Sequence, residues 1–243
     1  MTVTAVVFDV GKVLVEWAPH YLYDKMIPDS GERAVFRDDV VTPAWHFQHD
    51  AGRLFAETSA ELIAQFPQHR VLIEAWGPRF NETIPYVIPD MADLVAELAA
   101  RDVPLFGITN FSGEFWTPFV ASEAALLAPF RDIVLSGDEK MMKPDPAIYR
   151  RALSRFGLAA GDGLFVDDRL VNVQAAEANG FAGHHFFDVL TLRADLSKRG
   201  LLYRPPTLSS SPVSRTTCST LVDPGTPNGT PAMTMMRSPA PAS

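Results

Sequence analysis

A chain of 243 residues with 47% hydrophobic content can form one sizeable core and a second small one. Its formal net charge of −8 argues against nonspecific nucleic-acid binding, which depends on clustered Lys and Arg. The single cysteine, Cys218, excludes a disulfide within the chain. No stretch approaches the roughly 18 apolar residues of a membrane span, and the N-terminus lacks the basic region of a signal peptide. We therefore expect a cytoplasmic protein without a membrane or nucleic-acid partner.

Short apolar runs bounded by Gly, Pro or acidic residues predict buried parallel strands. In chain order they are AVVFDV (5–10), VPLFGITN (103–110), DIVLSG (132–137), GLFVDD (163–168) and, more weakly, GHHFF (183–187). Helical patterns lie between them over 89–102, 145–157 and 169–180. Pro89 and Asp90 predict a helix start, and Gly157 and Gly180 predict helix ends. Alternating strands and helices are typical of a doubly wound α/β sheet.

Two segments depart from this alternation. Residues 17–88 contain helix-like stretches such as AGRLFAETSAELIAQF (51–66) and no convincing buried strand, which predicts a helical insert after the first strand. Beyond about Tyr203 the chain holds 8 of its 20 prolines and no aromatic residue. Such a segment cannot bury enough apolar area to offset its ordering entropy, so we expect a disordered tail over 204–243.

Polar side chains stand at or just beyond the ends of four predicted strands. They are Asp9, Thr109 with Asn110, Lys143 in MMKPDP, and Asp167 with Asp168. Ligands bind beyond the carboxyl ends of the strands in open α/β sheets, so these side chains are expected in one site. Phosphoryl transfer to a carboxylate needs an attacking acid, further carboxylates around a hard cation, and a lysine that neutralises the phosphate.

The order and text of these four segments resemble the haloacid dehalogenase-like hydrolase superfamily over roughly residues 3 to 200. The resemblance implies an α/β fold: a three-layer, Rossmann-like core of doubly wound parallel sheet formed by residues 1–16 and 89–203. Residues 17–88 would form a small α-helical cap, followed at 204–243 by the disordered tail. It also implies a Mg²⁺-dependent phosphatase that acts on a small phosphorylated substrate; the oligomeric state is not predicted.

Carried over position by position, the resemblance makes Asp9 the nucleophile, which would form an aspartyl phosphate. Thr109 would hydrogen-bond the transferring phosphoryl group, with Asn110 beside it shaping the site. Lys143 would pair with both the phosphate and Asp9.

The same resemblance implies a set of oxygen ligands for Mg²⁺. Asp9 and Asp168 would contribute carboxylates, with Asp167 supporting Asp168. The backbone carbonyl of Gly11 would complete the protein's share of the ligands.

Gly11 also marks a departure from the family, because most of its phosphatases carry Asp two residues after the nucleophile. That acid protonates the leaving oxygen and then takes a proton from water, work typically worth about 10² to 10⁴ in rate. The favoured compensation is a good leaving group, as in a sugar 1-phosphate. Alternatively, the cap segment WHFQHD (45–50) supplies the acid from His46, His49 or Asp50. A third alternative is that the protein has lost catalysis and only binds a ligand.

The main rival enzyme is a 2-haloacid dehalogenase, which also uses an aspartate nucleophile but needs no metal. Its pattern has an aromatic residue in place of Gly11 and lacks the acidic pair Asp167–Asp168, so the phosphatase is favoured. Lys12 is expected to be solvated. In the predicted cap, Arg79 is a candidate for binding a substrate's anionic group. The aromatic residues expected to fill the core rather than a pocket are Trp17, Trp45, Phe47, Trp76 and Trp116.

Overall fold

The computed structural model describes residues 2–203, which are built around a five-stranded parallel sheet. The strands are Ala5–Phe8 (β1), Leu105–Thr109 (β2), Phe130–Leu135 (β3), Gly163–Asp167 (β4) and Ala182–His185 (β5). Their order across the sheet is β3-β2-β1-β4-β5, so the first strand lies in the middle. β1, β2 and β4 are buried along their whole length. Burial on both faces explains why they are nearly continuous apolar runs.

The chain between β1 and β2 begins with short helical elements. The helices are His20–Tyr23 (α1), Ser30–Val35 (α2), Pro43–Asp50 (α3), Phe55–Gln65 (α4) and Arg70–Ala75 (α5), with a π-helical turn at Phe36–Val40 and 3₁₀ turns at Pro67–His69 and Phe80–Thr83. Trp76 is fully buried, and its ring centroid lies 5.7 Å from that of Trp45 and 5.9 Å from that of Tyr23. The described residues, 2–203, fall in one compact unit, so the division into core and cap stays a prediction.

Helices cover both faces of the sheet. They are Met91–Ala100 (α6), Gly113–Ser122 (α7), Ala124–Leu127 (α8), Ser136–Glu139 (α9), Pro146–Phe156 (α10), Leu170–Ala178 (α11) and Val189–Lys198 (α12). Val6 and Phe8 of β1 share a hydrophobic cluster with residues of α6 and α12, whereas Ala5 and Val7 share another with α10 and α11. Successive side chains of a strand point to opposite faces, so these clusters lie on the two sides of the sheet. The predicted three-layer α/β fold is confirmed.

The element boundaries differ from the predictions in particular places. The third strand is Phe130–Leu135 rather than 132–137, because Ser136 and Gly137 already belong to α9. The predictions also missed α7 and α12. α7 has Pro118 in its interior, which local propensity disfavours. Burial of Phe115 and Phe119 in the core outweighs that cost.

Within the part of the chain that the structure describes, no helix is long and apolar enough to cross a membrane. The segment predicted to be a disordered tail, 204–243, lies outside the described residues, as does Cys218.

Candidate active site

The strand-end residues singled out from the sequence meet at one edge of the sheet. Asp9 directly follows β1, where its backbone N–H donates to the Val166 carbonyl of β4 at 2.8 Å. Thr109 ends β2 and Asp167 ends β4. The three strands are adjacent and parallel, so their carboxyl ends converge.

Lys143 is the centre of a buried ionic cluster. Its Nζ lies 2.8 Å from Oδ1 of Asp9 and 2.7 Å from Oδ2 of Asp167, and only 1% of its side chain is exposed. Burial alone would lower the pKa of Lys143, but the carboxylates of Asp167 and Asp9 outweigh it and raise that pKa above its ordinary value. The ammonium is therefore held charged beside the carboxylate of Asp9.

Asn110 fixes the loop that carries Lys143. The backbone N–H of Lys143 donates to Oδ1 of Asn110 at 2.8 Å, and Nδ2 of Asn110 donates to the Lys143 carbonyl at 3.1 Å. This pair of hydrogen bonds ties the end of β2 to the loop before α10. The amide of Asn110 thus holds the backbone of Lys143 in place.

The two acids after β4 have different surroundings. Oδ1 of Asp167 accepts hydrogen bonds from the Arg169 N–H at 2.8 Å and from Nδ2 of Asn172 at 3.0 Å, while Oδ2 faces Lys143. The Asp168 carboxylate accepts no hydrogen bond from another residue in the range 2–203. Burial and the charge of Asp167 raise the pKa of Asp168 above its ordinary value. Asp167 is therefore an internal partner of Lys143, and Asp168 is free to bind a ligand.

The donor set suits a hard divalent cation. Asp9, Asp167 and Asp168 each offer an oxygen within 4.8 Å of the others, and this is the only such His, Cys, Asp or Glu cluster among the described residues. The Gly11 carbonyl accepts no hydrogen bond within residues 2–203, and Gly11 lines the same cavity. Carboxylate and carbonyl oxygens are the ligands that Mg²⁺ prefers. These groups fit the Mg²⁺ that the sequence predicts, and the role of each ligand stays a prediction.

The acid–base state of Asp9 depends on its neighbours. Burial raises the pKa of Asp9 to about 7, and the ammonium of Lys143 acts in the opposite direction. A cation bound beside Asp9 would lower this raised pKa and favour the ionised, nucleophilic form.

A cavity of about 230 Å³ opens beside Asp9. Its walls combine the polar residues of the site with aromatic and apolar side chains, which include Trp17, Phe47, Phe80, Ile84 and Phe111. Trp45 and Trp76 are buried in the core, as expected, whereas Trp17 and Phe47 line the cavity and so depart from that expectation. Trp116 is partly buried against the core.

Arg79 has a local partner instead of a place in the cavity. Its Nε and Nη2 donate to the carboxylate of Glu82 at 2.6 and 3.0 Å, and it is absent from the cavity walls. Lys12, which has a left-handed backbone with φ of 64°, pairs with Glu16, and 41% of its side chain is exposed. Lys12 lines the cavity, but neither Lys12 nor Arg79 forms an ion pair with Asp9 within residues 2–203.

Sequence reasoning missed Asn172 and gave no preference to Asp50. Asn172 lies in the first turn of α11, five residues after Asp167, where a polar residue in a buried position is the signal that could have identified it. Asp50, at the end of α3, is 3% exposed and lines the cavity next to Asp9. The segment 45–50 made Asp50 a candidate together with two histidines. Only the tertiary structure shows that the three side chains have different surroundings.

Comparison of the sequence with known proteins identifies its family. A model of the haloacid dehalogenase-like hydrolases matches residues 3–180. The phosphoglycolate phosphatase of Yersinia pseudotuberculosis serotype I is 30% identical over 192 residues, which cover 73% of this chain and 78% of that protein. The sesquiterpene phosphatase astK of Aspergillus oryzae is 28% identical over 202 residues, covering 80% of this chain and 95% of that protein.

Solved structures show the same fold. A haloacid dehalogenase-family enzyme of Bacteroides thetaiotaomicron, in complex with magnesium and inorganic phosphate, superposes with a TM-score of 0.59 at 19% identity. The match covers 77% of this chain and 96% of that one. Since the family model spans well over half of the sequence, this chain belongs to the haloacid dehalogenase-like hydrolases.

Proposed function

We propose that this hydrolase is a Mg²⁺-dependent phosphatase that cleaves a small phosphomonoester through an aspartyl phosphate on Asp9. The observation that carries the proposal is the free carboxylate of Asp168 beside Asp9 and Lys143. If a divalent cation is bound, the negative charge of Asp168 stabilises it. In a metal-free dehalogenase the same charge would repel the carboxylate of the haloacid substrate.

In the first half of the proposed reaction, a carboxylate oxygen of Asp9 attacks phosphorus and the bond from phosphorus to the leaving oxygen breaks. Lys143 offsets the negative charge on the phosphoryl oxygens, and the Thr109 hydroxyl donates a hydrogen bond to one of them. In the second half, water attacks phosphorus, the bond to Asp9 breaks, and inorganic phosphate leaves.

Mg²⁺ would be held by Asp9, the Gly11 carbonyl and Asp168, with Asp167 orienting Lys143 from behind. Bound there, the cation would draw charge from the phosphoryl oxygens and keep Asp9 ionised at neutral pH. Asp167 does not need to bind the cation, because both of its oxygens already accept hydrogen bonds.

The leaving group of the substrate would occupy the aromatic cavity. Aromatic faces pack well against the apolar faces of rings, which is compatible with the sugar 1-phosphate favoured by Gly11. The names of two relatives add phosphoglycolate and a sesquiterpenyl phosphate to the candidates. A cytoplasmic location stays a prediction.

Phosphate release from a panel of esters tests this proposal. The panel contains a sugar 1-phosphate, an acyl phosphate, 4-nitrophenyl phosphate, phosphoglycolate and other alkyl phosphates, each assayed with Mg²⁺ and with excess EDTA. We expect release from at least one ester with Mg²⁺ and loss of that release with EDTA, restored by added Mg²⁺. Absence of release from every ester would contradict the proposal. Halide release from a 2-haloacid would then support the dehalogenase, and inactivity on both classes would support a protein that only binds.

A further inference from the structure

The proposed chemistry needs a group that donates a proton in the first step and accepts one in the second. An alkoxide leaving group needs a proton as its bond to phosphorus breaks, and water must lose one as it attacks the intermediate. Gly11 has no side chain that could do either. The group that serves must reach the cavity beside Asp9 from another part of the chain.

Asp50 is a carboxyl group in that position. It ends α3, lines the same cavity as Asp9 and is 3% exposed. No described residue donates a hydrogen bond to its carboxyl group; Nε2 of His46 lies 3.4 Å from Oδ2. An isolated buried carboxyl group that faces no cation in contact favours the protonated form.

The backbone of Asp50 is fastened to the catalytic edge of the sheet. Oγ of Ser136 donates to the Asp50 carbonyl at 2.6 Å, and the same oxygen accepts the Phe111 N–H at 3.0 Å. Two residues on, a Cβ at Gly52 would lie 2.5 Å from the Gly137 carbonyl oxygen, so the two backbones are in close contact. Asp50 is therefore held by the segments that follow β2 and β3 rather than by its own helix alone.

The two histidines of the same helix are less suited to donate the proton. Burial lowers the pKa of His46 to about 3 and that of His49 to about 4, so both rings are neutral near pH 7. Nε2 of His49 is hydrogen-bonded to Oγ1 of Thr58 at 2.6 Å. By contrast, burial and the charge of Asp9 raise the pKa of Asp50 to about 7, which allows it to carry a proton at neutral pH.

We propose that Asp50 is the general acid and base of this enzyme, supplied by the helical insert in place of the residue missing at Gly11. In the first step the Asp50 carboxyl gives its proton to the leaving oxygen as the phosphorus–oxygen bond breaks. In the second step the Asp50 carboxylate takes a proton from the attacking water as the bond from phosphorus to Asp9 breaks. The proposal rests on the phosphatase function and makes an activated leaving group unnecessary.

His46 is the neighbour of Asp50 on the same helix. Its ring stacks on Trp17 with centroids 4.9 Å apart, and Nε2 approaches Asp50. Its second nitrogen, Nδ1, is buried and has no hydrogen-bond partner within residues 2–203. The ring thus contacts both Trp17 and the Asp50 carboxyl group without a hydrogen bond to either.

The test compares Asp50→Asn with the wild type on two leaving groups. On the best alkyl phosphate of the panel, which needs protonation, kcat is expected to fall by about 10² to 10⁴. On 4-nitrophenyl phosphate the first turnover needs little acid, so nitrophenolate formation in a rapid-mixing experiment should fall by less than about tenfold. A burst of nitrophenolate followed by slow turnover is expected, because water attack still lacks its base. Asp39→Asn, an exposed carboxyl in the same insert, is the matched control.

A second variant keeps the test independent of folding defects. A Cβ at Gly11 would meet no heavy atom within 4 Å, so aspartate can be accommodated there. Gly11→Asp in the Asp50→Asn background should restore at least about tenfold of the lost alkyl phosphate turnover. Equal losses on both esters without rescue would overturn the role of Asp50, as would unchanged kcat on the alkyl ester. Because Asp9 is intact in all these proteins, such a failure is distinct from failure of the phosphatase function, which the ester panel decides.

Discussion

Asp9→Asn is expected to reduce Mg²⁺-dependent phosphate release by at least about 10³-fold on every ester that the wild type hydrolyses. The amide has nearly the same shape as the carboxylate but no ionised oxygen that can attack phosphorus. It would also lose one anionic ligand of the cation. Steady-state phosphate release at saturating ester measures the effect, with Asp39→Asn as the control that should retain wild-type rates.

The fold of Asp9→Asn should survive, because Lys143 keeps its contact of 2.7 Å with Asp167. Thermal unfolding of the variant in EDTA should therefore remain cooperative. Residual turnover above one tenth of the wild-type rate, in a preparation free of contaminating phosphatase, would show that Asp9 is not the nucleophile.

Lys143→Met should have the largest effect on stability. Removing the ammonium leaves the carboxylates of Asp9 and Asp167 buried at the sheet edge without their shared cation. Loss of one partner of a buried ionic cluster typically costs about 3–5 kcal/mol of unfolding free energy. Phosphate release should be lost as well, because no ammonium group would then offset the negative charge of the phosphoryl oxygens. Urea unfolding in EDTA measures the stability change.

Two further variants test whether the effect of Lys143 on stability depends on its buried position or on its charge. Lys12→Met removes an exposed cation paired with Glu16 and should change the unfolding free energy by less than about 1 kcal/mol. Lys143→Arg keeps the charge but not the compact ammonium, so it should recover part of the stability and little activity. Similar unfolding free energies for Lys143→Met and Lys12→Met would contradict the central position of Lys143.

Several parts of the molecule could be predicted because local and tertiary preferences agree. β1 and β4 are buried on both faces, so each is an apolar run that ends at an acid. The helix predicted over 145–157 is α10; Asp145 caps it by accepting the Ala147 N–H at 2.8 Å. Gly157, with φ of 66°, ends it in the left-handed conformation that glycine favours.

Other parts could not be predicted because tertiary packing decides them. Pro118 makes α7 difficult to predict, because proline is disfavoured inside a helix. The buried phenylalanines of α7 contact a core assembled from distant segments. Asn172 and Ser136 form hydrogen bonds to residues on other elements. No spacing in the sequence predicts such pairs. The distinction between Asp50 and the neighbouring histidines depends on the burial and the charged neighbours that each side chain acquires in the folded protein.

The formation of an aspartyl phosphate on Asp9 is the central claim, and rapid acid quench during turnover tests it most directly. Wild-type protein mixed with its best ester and Mg²⁺ is quenched at a series of times, digested and analysed by mass spectrometry. We expect one phosphoryl group on the peptide that contains Asp9, absent with EDTA and absent in Asp9→Asn. A phosphoryl group on a different residue, or steady phosphate release with the Asp9 peptide unmodified at every quench time, would contradict it.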